Sequence, residues 1–163
     1  MAFSPTEWDS LTLAVKDVED IDKACKAAER LHKESSPEDV PKLMELLKDT
    51  DAFVREAAAW PISELMGPTA LTELLSAYQQ GLDEGLDCDG FTAALIDLVE
   101  VRPDESAIVL RRLIEQPEKP IRESAIWLLQ FCQRAPAALY TTRPTVRGPA
   151  HFCTSGPRAV LLP

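Results

Sequence analysis

The apolar residues of this chain return at three-and-four spacing in a series of short stripes, the mark of amphipathic helices. Trp8, Leu11 and Val15 form the first stripe, and Ile21, Ala24, Cys25, Ala28 and Leu31 the second. Val40, Leu43, Met44, Leu46 and Leu47 predict a third helix, and Val54, Ala57, Ala58, Ile62 and Leu65 a fourth. Leu71, Leu74, Leu75 and Tyr78 open a fifth, followed by Phe91, Ala94, Leu95, Leu98 and Val99. The last two stripes are Ile108, Leu110, Leu113 and Ile114, then Ile121, Ala125, Leu128, Leu129 and Cys132.

The breaks between stripes have their own chemistry. Ser4-Pro5-Thr6-Glu7 reads as a helix entry, and Pro37 with Glu38 and Asp39 as another, because proline and acids suit a first turn. Asp51 is placed to cap the fourth helix by accepting a backbone N–H. Gly67-Pro68 should end that helix. Pro41 predicts a bend near the start of the third helix, and Pro61 a kink inside the fourth. Gln79 to about Cys88 reads as a long acidic loop.

A shift of 67 positions brings the pattern back without a gap. Leu43, Leu46 and Leu47 fall on Leu110, Leu113 and Ile114, and Val54-Arg55-Glu56-Ala57-Ala58-Ala59-Trp60 falls on Ile121-Arg122-Glu123-Ser124-Ala125-Ile126-Trp127. Such a distance is about twice a period in the low thirties, so one further unit should lie between the two copies. The expected architecture is all-α: a right-handed α-solenoid of about four antiparallel helix pairs over residues 1–133. The first pair would be the N-terminal cap.

Charge sharpens the boundary. All 27 acidic residues lie at or before Glu123, and residues 1–133 hold 13 of the 17 basic ones, leaving that body with a charge of −14. Residues 134–163 contain no Asp, Glu or Lys, but five prolines and four arginines. That segment reads as an irregular or disordered tail, or as non-native sequence such as a shifted reading frame. An acidic body argues against general nucleic-acid binding and fits a basic protein partner or simple solubility. No apolar run is long enough to span a bilayer and no secretion signal is recognisable, so no membrane association and a cytoplasmic address are expected. The scattered cysteines Cys25, Cys88, Cys132 and Cys153 read as buried free thiols.

The units resemble HEAT-like repeats, especially the short bacterial kind that includes bilin-lyase-type proteins. The resemblance rests on Leu43, Leu46 and Leu47, the Lys48-Asp49 turn, Asp51, and Val54-Arg55 with Ala57 and Ala58; Ile121-Arg122 with Ala125 repeats its second half. It covers residues 37–133 well and 5–34 loosely. It implies that first helices lie on the convex side and second helices line the concave side. It also implies that turn aspartates and the arginines Arg55 and Arg122 form a structural ladder between units. Pro61 departs from that pattern, as does the middle unit, whose long loop would interrupt the ladder.

Candidate chemistry is sparse. Deoxyhypusine hydroxylase, similar in fold, holds iron through repeated His-Glu pairs, whereas His32-Lys33 and His151-Phe152 do not fit. Gly85-Leu86-Asp87-Cys88-Asp89-Gly90 lacks the end carboxylates of a calcium loop. No nucleophile elbow or glycine-rich phosphate loop is present. Neither metal nor cofactor is therefore expected. Alkylpurine DNA glycosylases share the fold but use a basic concave face, which the −14 body contradicts. The expectation is a non-catalytic protein-binding scaffold whose second-helix face presents Glu56, Trp60, Ser63, Glu123, Trp127 and Gln130. Trp60 and Trp127 act there either as aromatic anchors or as inter-unit packing. A bilin-lyase-like accessory protein and an acidic inhibitor of a basic protein are the alternatives.

Overall fold

The computed structural model describes residues 2–17, 19–116 and 120–133, and eight α-helices lie among them. The first pair is α1 (Pro5–Val15) and α2 (Ile21–Glu34). Ser4 and Glu7 form a capping box at the start of α1, each side chain accepting from the other's backbone N–H. The second pair is α3 (Val40–Leu46), entered through a 3₁₀ turn at Pro37–Asp39, and α4 (Ala52–Met66). Asp51 caps α4 by accepting from Phe53 N at 2.8 Å. Pro41 lies in the first turn of α3, where its missing N–H costs no helical bond, and the bend expected from it is replaced by the 3₁₀ entry. Pro61 is buried inside α4, and the helix runs through it to Met66.

Gly67 then stops α4 at φ 63°, a conformation that glycine adopts without steric cost. A Cβ there would also collide with the Arg102 guanidinium. The third pair is α5 (Leu71–Asp83) and α6 (Asp89–Val101), and the fourth is α7 (Pro103–Ile114) and α8 (Arg122–Cys132). The loop expected from Gln79 shrinks to residues 84–88. Gln79 and Gln80 bond forward to Asp83 and Glu84, four residues on, so the polar run is helical.

Pairs stack through their second helices: α2 packs on α4, α4 on α6, and α6 on α8. The first helices lie over one side of this layer, with α5 against α7. One continuous apolar core threads the stack, from Val15 and Leu31 through Leu43, Val54 and Ile62 to Leu75, Leu95, Leu110 and Leu128, all fully buried. Burying each such side chain contributes on the order of 2 kcal/mol, which offsets the entropy of ordering the hairpins. This is an all-α helical-repeat solenoid, with the four units in the expected places.

The ladder between units is present in altered form. Lys16 at the end of α1 pairs with Asp49 of the next turn at 2.6 Å. Arg55 is 1 % exposed; it donates to Asp49 O and Thr50 O at 3.0 Å and pairs with Glu84 at the end of α5. The middle unit therefore supplies its rung through Glu84, because α5 carries that carboxylate to the place where an interrupting loop was expected. Cys88 and Cys132 are free thiols, both half-buried. The expected tail at 134–163, including His151 and Cys153, lies outside the described residues.

Candidate functional site

The second helices hold two aromatic clusters. In the first, the Trp60 ring lies 5.4 Å from the His32 ring of α2, and His32 Nε2 meets Glu64 Oε1 at 2.8 Å. Trp60 and Glu64 sit four apart on α4, so one turn of helix brings both to the same imidazole. In the second, Trp127 stacks on Tyr78 of α5 at 6.1 Å with nearly parallel planes, and meets Phe131 edge-on at 5.3 Å. Tyr78 in turn touches Phe91 of α6 at 5.8 Å and accepts a hydrogen bond from Thr92 Oγ1, or donates one to it, at 3.2 Å. Both tryptophans are half-buried against the preceding unit. They thus combine inter-unit packing with a remaining accessible edge.

The other four expected site residues divide by repeat. Glu56 and Ser63 of α4 are 8 % and 5 % exposed, whereas their counterparts Glu123 and Gln130 of α8 are exposed. The expectation that Glu56 and Ser63 lie open on a binding face is therefore corrected. They belong to the stripe Glu56, Ala59, Ser63 that α6 covers, while Ser63 Oγ also donates to Trp60 O at 2.8 Å. Sequence periodicity alone could not separate a face turned to solvent from one turned to the next unit.

Glu56 is the most perturbed of these groups. Its carboxylate accepts from Phe91 N, in the first turn of α6, and lies where a Cβ on Gly90 would collide with it. Burial, reinforced by the negative charges of Asp87 and Asp89, pushes its pKa up to about 7 despite that hydrogen bond. Cys88 beside it is likewise raised, first by burial and then by Glu56. Arg55 holds Glu84 below the usual carboxylate range, after the larger contribution of Gln80.

A shallow cleft lies between α5 and the start of α8, lined by Ser76, Gln79, Gln80, Asp83, Glu84, Pro120 and Ile121. Ser124 Oγ of α8 donates to Gln79 Oε1, one of the lining residues, at 3.0 Å. The reading of Gln79–Cys88 as a loop hid this cleft; the i, i+4 spacing of Gln79/Asp83 and Gln80/Glu84 was the signal for it. Among the described residues no group of three or more His, Cys, Asp or Glu side chains is arranged to hold a metal. Among them, too, no helix is long and apolar enough to cross a membrane.

Residues 9–86 match the family described as HEAT repeats. That match supports a HEAT-like repeat family for this part of the chain. The match spans the first two helix pairs and α5, and the structure carries the same stacking on through α8. No curated protein and no solved structure gives a significant match. HEAT repeats commonly serve as protein-interaction scaffolds and are typically non-enzymatic.

Proposed function

We propose that this HEAT-like protein is a non-catalytic scaffold that binds another protein through its second-helix face. The observation that carries the reading is the unbroken layer α2, α4, α6, α8, which presents Trp60 and Trp127 at equivalent places in two units. Half-buried aromatic rings held by neighbouring side chains lose little freedom on binding, which suits them as anchors. The −14 charge of residues 1–133 favours a basic partner. Glu56 and Ser63 contribute by holding α6 in place rather than by touching a partner.

Affinity capture with the full chain tests this. Proteins retained by the parent and lost with both Trp60→Ala and Trp127→Ala, at unchanged helicity, support it. Equal capture by parent and variants removes the tryptophans from the binding surface. The acidic-inhibitor alternative makes capture collapse as salt rises from low to physiological strength, whereas an aromatic-anchored contact persists.

A further inference from the structure

Two consecutive residues of α4 hold the two ends of the connection between α5 and α6. Arg55 pairs with Glu84, which follows the last residue of α5, and Glu56 accepts from Phe91 N in the first turn of α6. The second contact replaces a local cap. α6 starts after Cys88 with no side-chain cap of its own, and Glu56 takes one of its first-turn donors from outside. Between the two anchors lies Gly85, at φ 72° with open space where a Cβ would stand, so the connection contains a residue that turns without steric cost. The anchors differ in charge balance. Arg55 and Glu84 neutralise one another, and Gln80 and Arg55 hold Glu84 below the usual carboxylate range, so it stays ionised. Glu56 has no such cation among the described residues. It is 8 % exposed, the charges that act on it are those of Asp87 and Asp89, and the Cys88 thiol lies beside it. The other elements packed on α4, namely α1, α2, α3 and the 3₁₀ turn Gly67–Ala70, add no charge to these among the described residues. Burying an ion among like charges is costly, whereas the neutral acid can occupy the same place and still accept from Phe91 N.

We propose that Glu56 is a proton-operated latch on the α5–α6 connection. Protonated, it caps α6 and holds residues 85–91 closed; ionised, it releases them, while Arg55 keeps Glu84 in place. The connection then swings about Gly85, frees the first-turn donors of α6 and uncovers the half-buried Cys88 thiol. The direction follows from linkage. The closed form binds the proton more tightly than the open one, so closure is complete at acid pH and weakens as pH rises toward neutrality and past it. This regulation is independent of the protein-binding reading.

Amide hydrogen exchange at Phe91 in the full chain tests this. Its protection, the observed rate set against that of an unfolded peptide at the same pH, should fall on the order of a hundredfold between about pH 5 and about pH 8. Glu56→Gln keeps an acceptor and cannot ionise, so its protection should stay level to within about twofold over the same range. Asp87→Asn combined with Asp89→Asn leaves Glu56 in place and should narrow the fall, because the repulsion that loosens the latch is gone. Leu95, in the middle of α6, should stay better protected than Phe91 throughout. At about pH 8, iodoacetamide should modify Cys88 several-fold more slowly in Glu56→Gln than in the parent, as read by peptide mass spectrometry. A charge effect alone has the opposite sign, since losing the negative Glu56 makes the thiol more acidic and faster to react. Phe91 protection that does not change with pH, or that falls equally in Glu56→Gln, overturns the proposal. So does exchange of Phe91 and Leu95 at one common rate, which would mean that the joint opens only when the whole chain unfolds. Faster labelling of Cys88 in Glu56→Gln overturns the uncovering of the thiol.

Discussion

Arg55 and Arg122 stand at equivalent repeat positions and yet do different work. Arg55 is enclosed, with its guanidinium spent on two carbonyls and a carboxylate; Arg122 lies in the open. Arg55→Ala should therefore cost on the order of 3 kcal/mol of folding stability, because it strands buried acceptors. Arg122→Ala should cost no more than about 0.5 kcal/mol; chemical denaturation of both variants checks the contrast. Glu56 allows a second prediction. Its folded pKa of about 7 lies above the 4.5 of an ordinary glutamate, so the folded chain binds the extra proton in that window and stability falls as pH rises through it. Glu56→Gln keeps an acceptor for Phe91 N without the charge. Its stability relative to the parent should rise by on the order of 2 to 3 kcal/mol between pH 4.5 and pH 8, read from melting midpoints across that range. An offset between variant and parent that does not change with pH would show that Glu56 ionises normally. Neither behaviour was legible in the sequence, where Glu56 and Glu123 are the same letter in the same motif. Their environments differ because α6 packs over Glu56, whereas no described element packs over Glu123.

At the level of single elements, local chemistry told most of the story. Capping at Ser4 and Asp51, the stop at Gly67 and all eight apolar stripes came from short-range patterns, because first-turn donors and helical faces are set by neighbours a turn away. The length of α5 did not. Glycine and acids suggested a loop, yet Gly81 is buried inside the helix, where a Cβ would press on Cys88 Sγ. Glycine there serves close approach, and the helix survives it. The fit between α4 and α6 gives a prediction of the same kind. Gly90→Ala improves intrinsic helix propensity by about 1 kcal/mol but drives a methyl into the Glu56 carboxylate. The net effect should be destabilising, by on the order of 1 to 2 kcal/mol. Pairing it with Glu56→Ala should recover most of the loss, a coupling that a double-mutant cycle measures directly.

Over the whole molecule, each hairpin touches only its neighbours, so stability should grade along the stack instead of being uniform. Hydrogen exchange should be slowest in α4 and α6, which are covered on both sides, and fastest in α1 and in α8, whose outer flank carries the exposed Ile126. Equal protection in all eight helices would mean that the units open only together. Repeat number and layer order were readable in advance because periodicity is a property of the chain itself. Which faces of those layers remain accessible was not, since that depends on where the stack ends.

The tryptophans turn this arrangement into an instrument. Trp8 lies in the first unit beneath the Lys42 ammonium, Trp60 in the second beside an imidazole, and Trp127 in the fourth against a phenol ring. Three of the four hairpins thus carry one intrinsic fluorophore apiece, each in different company. Replacing two indoles at a time by phenylalanine would leave one lamp burning in a chosen hairpin. The order in which the three signals fade on heating would then report, without any added dye, whether the column frays from its ends or collapses at a stroke.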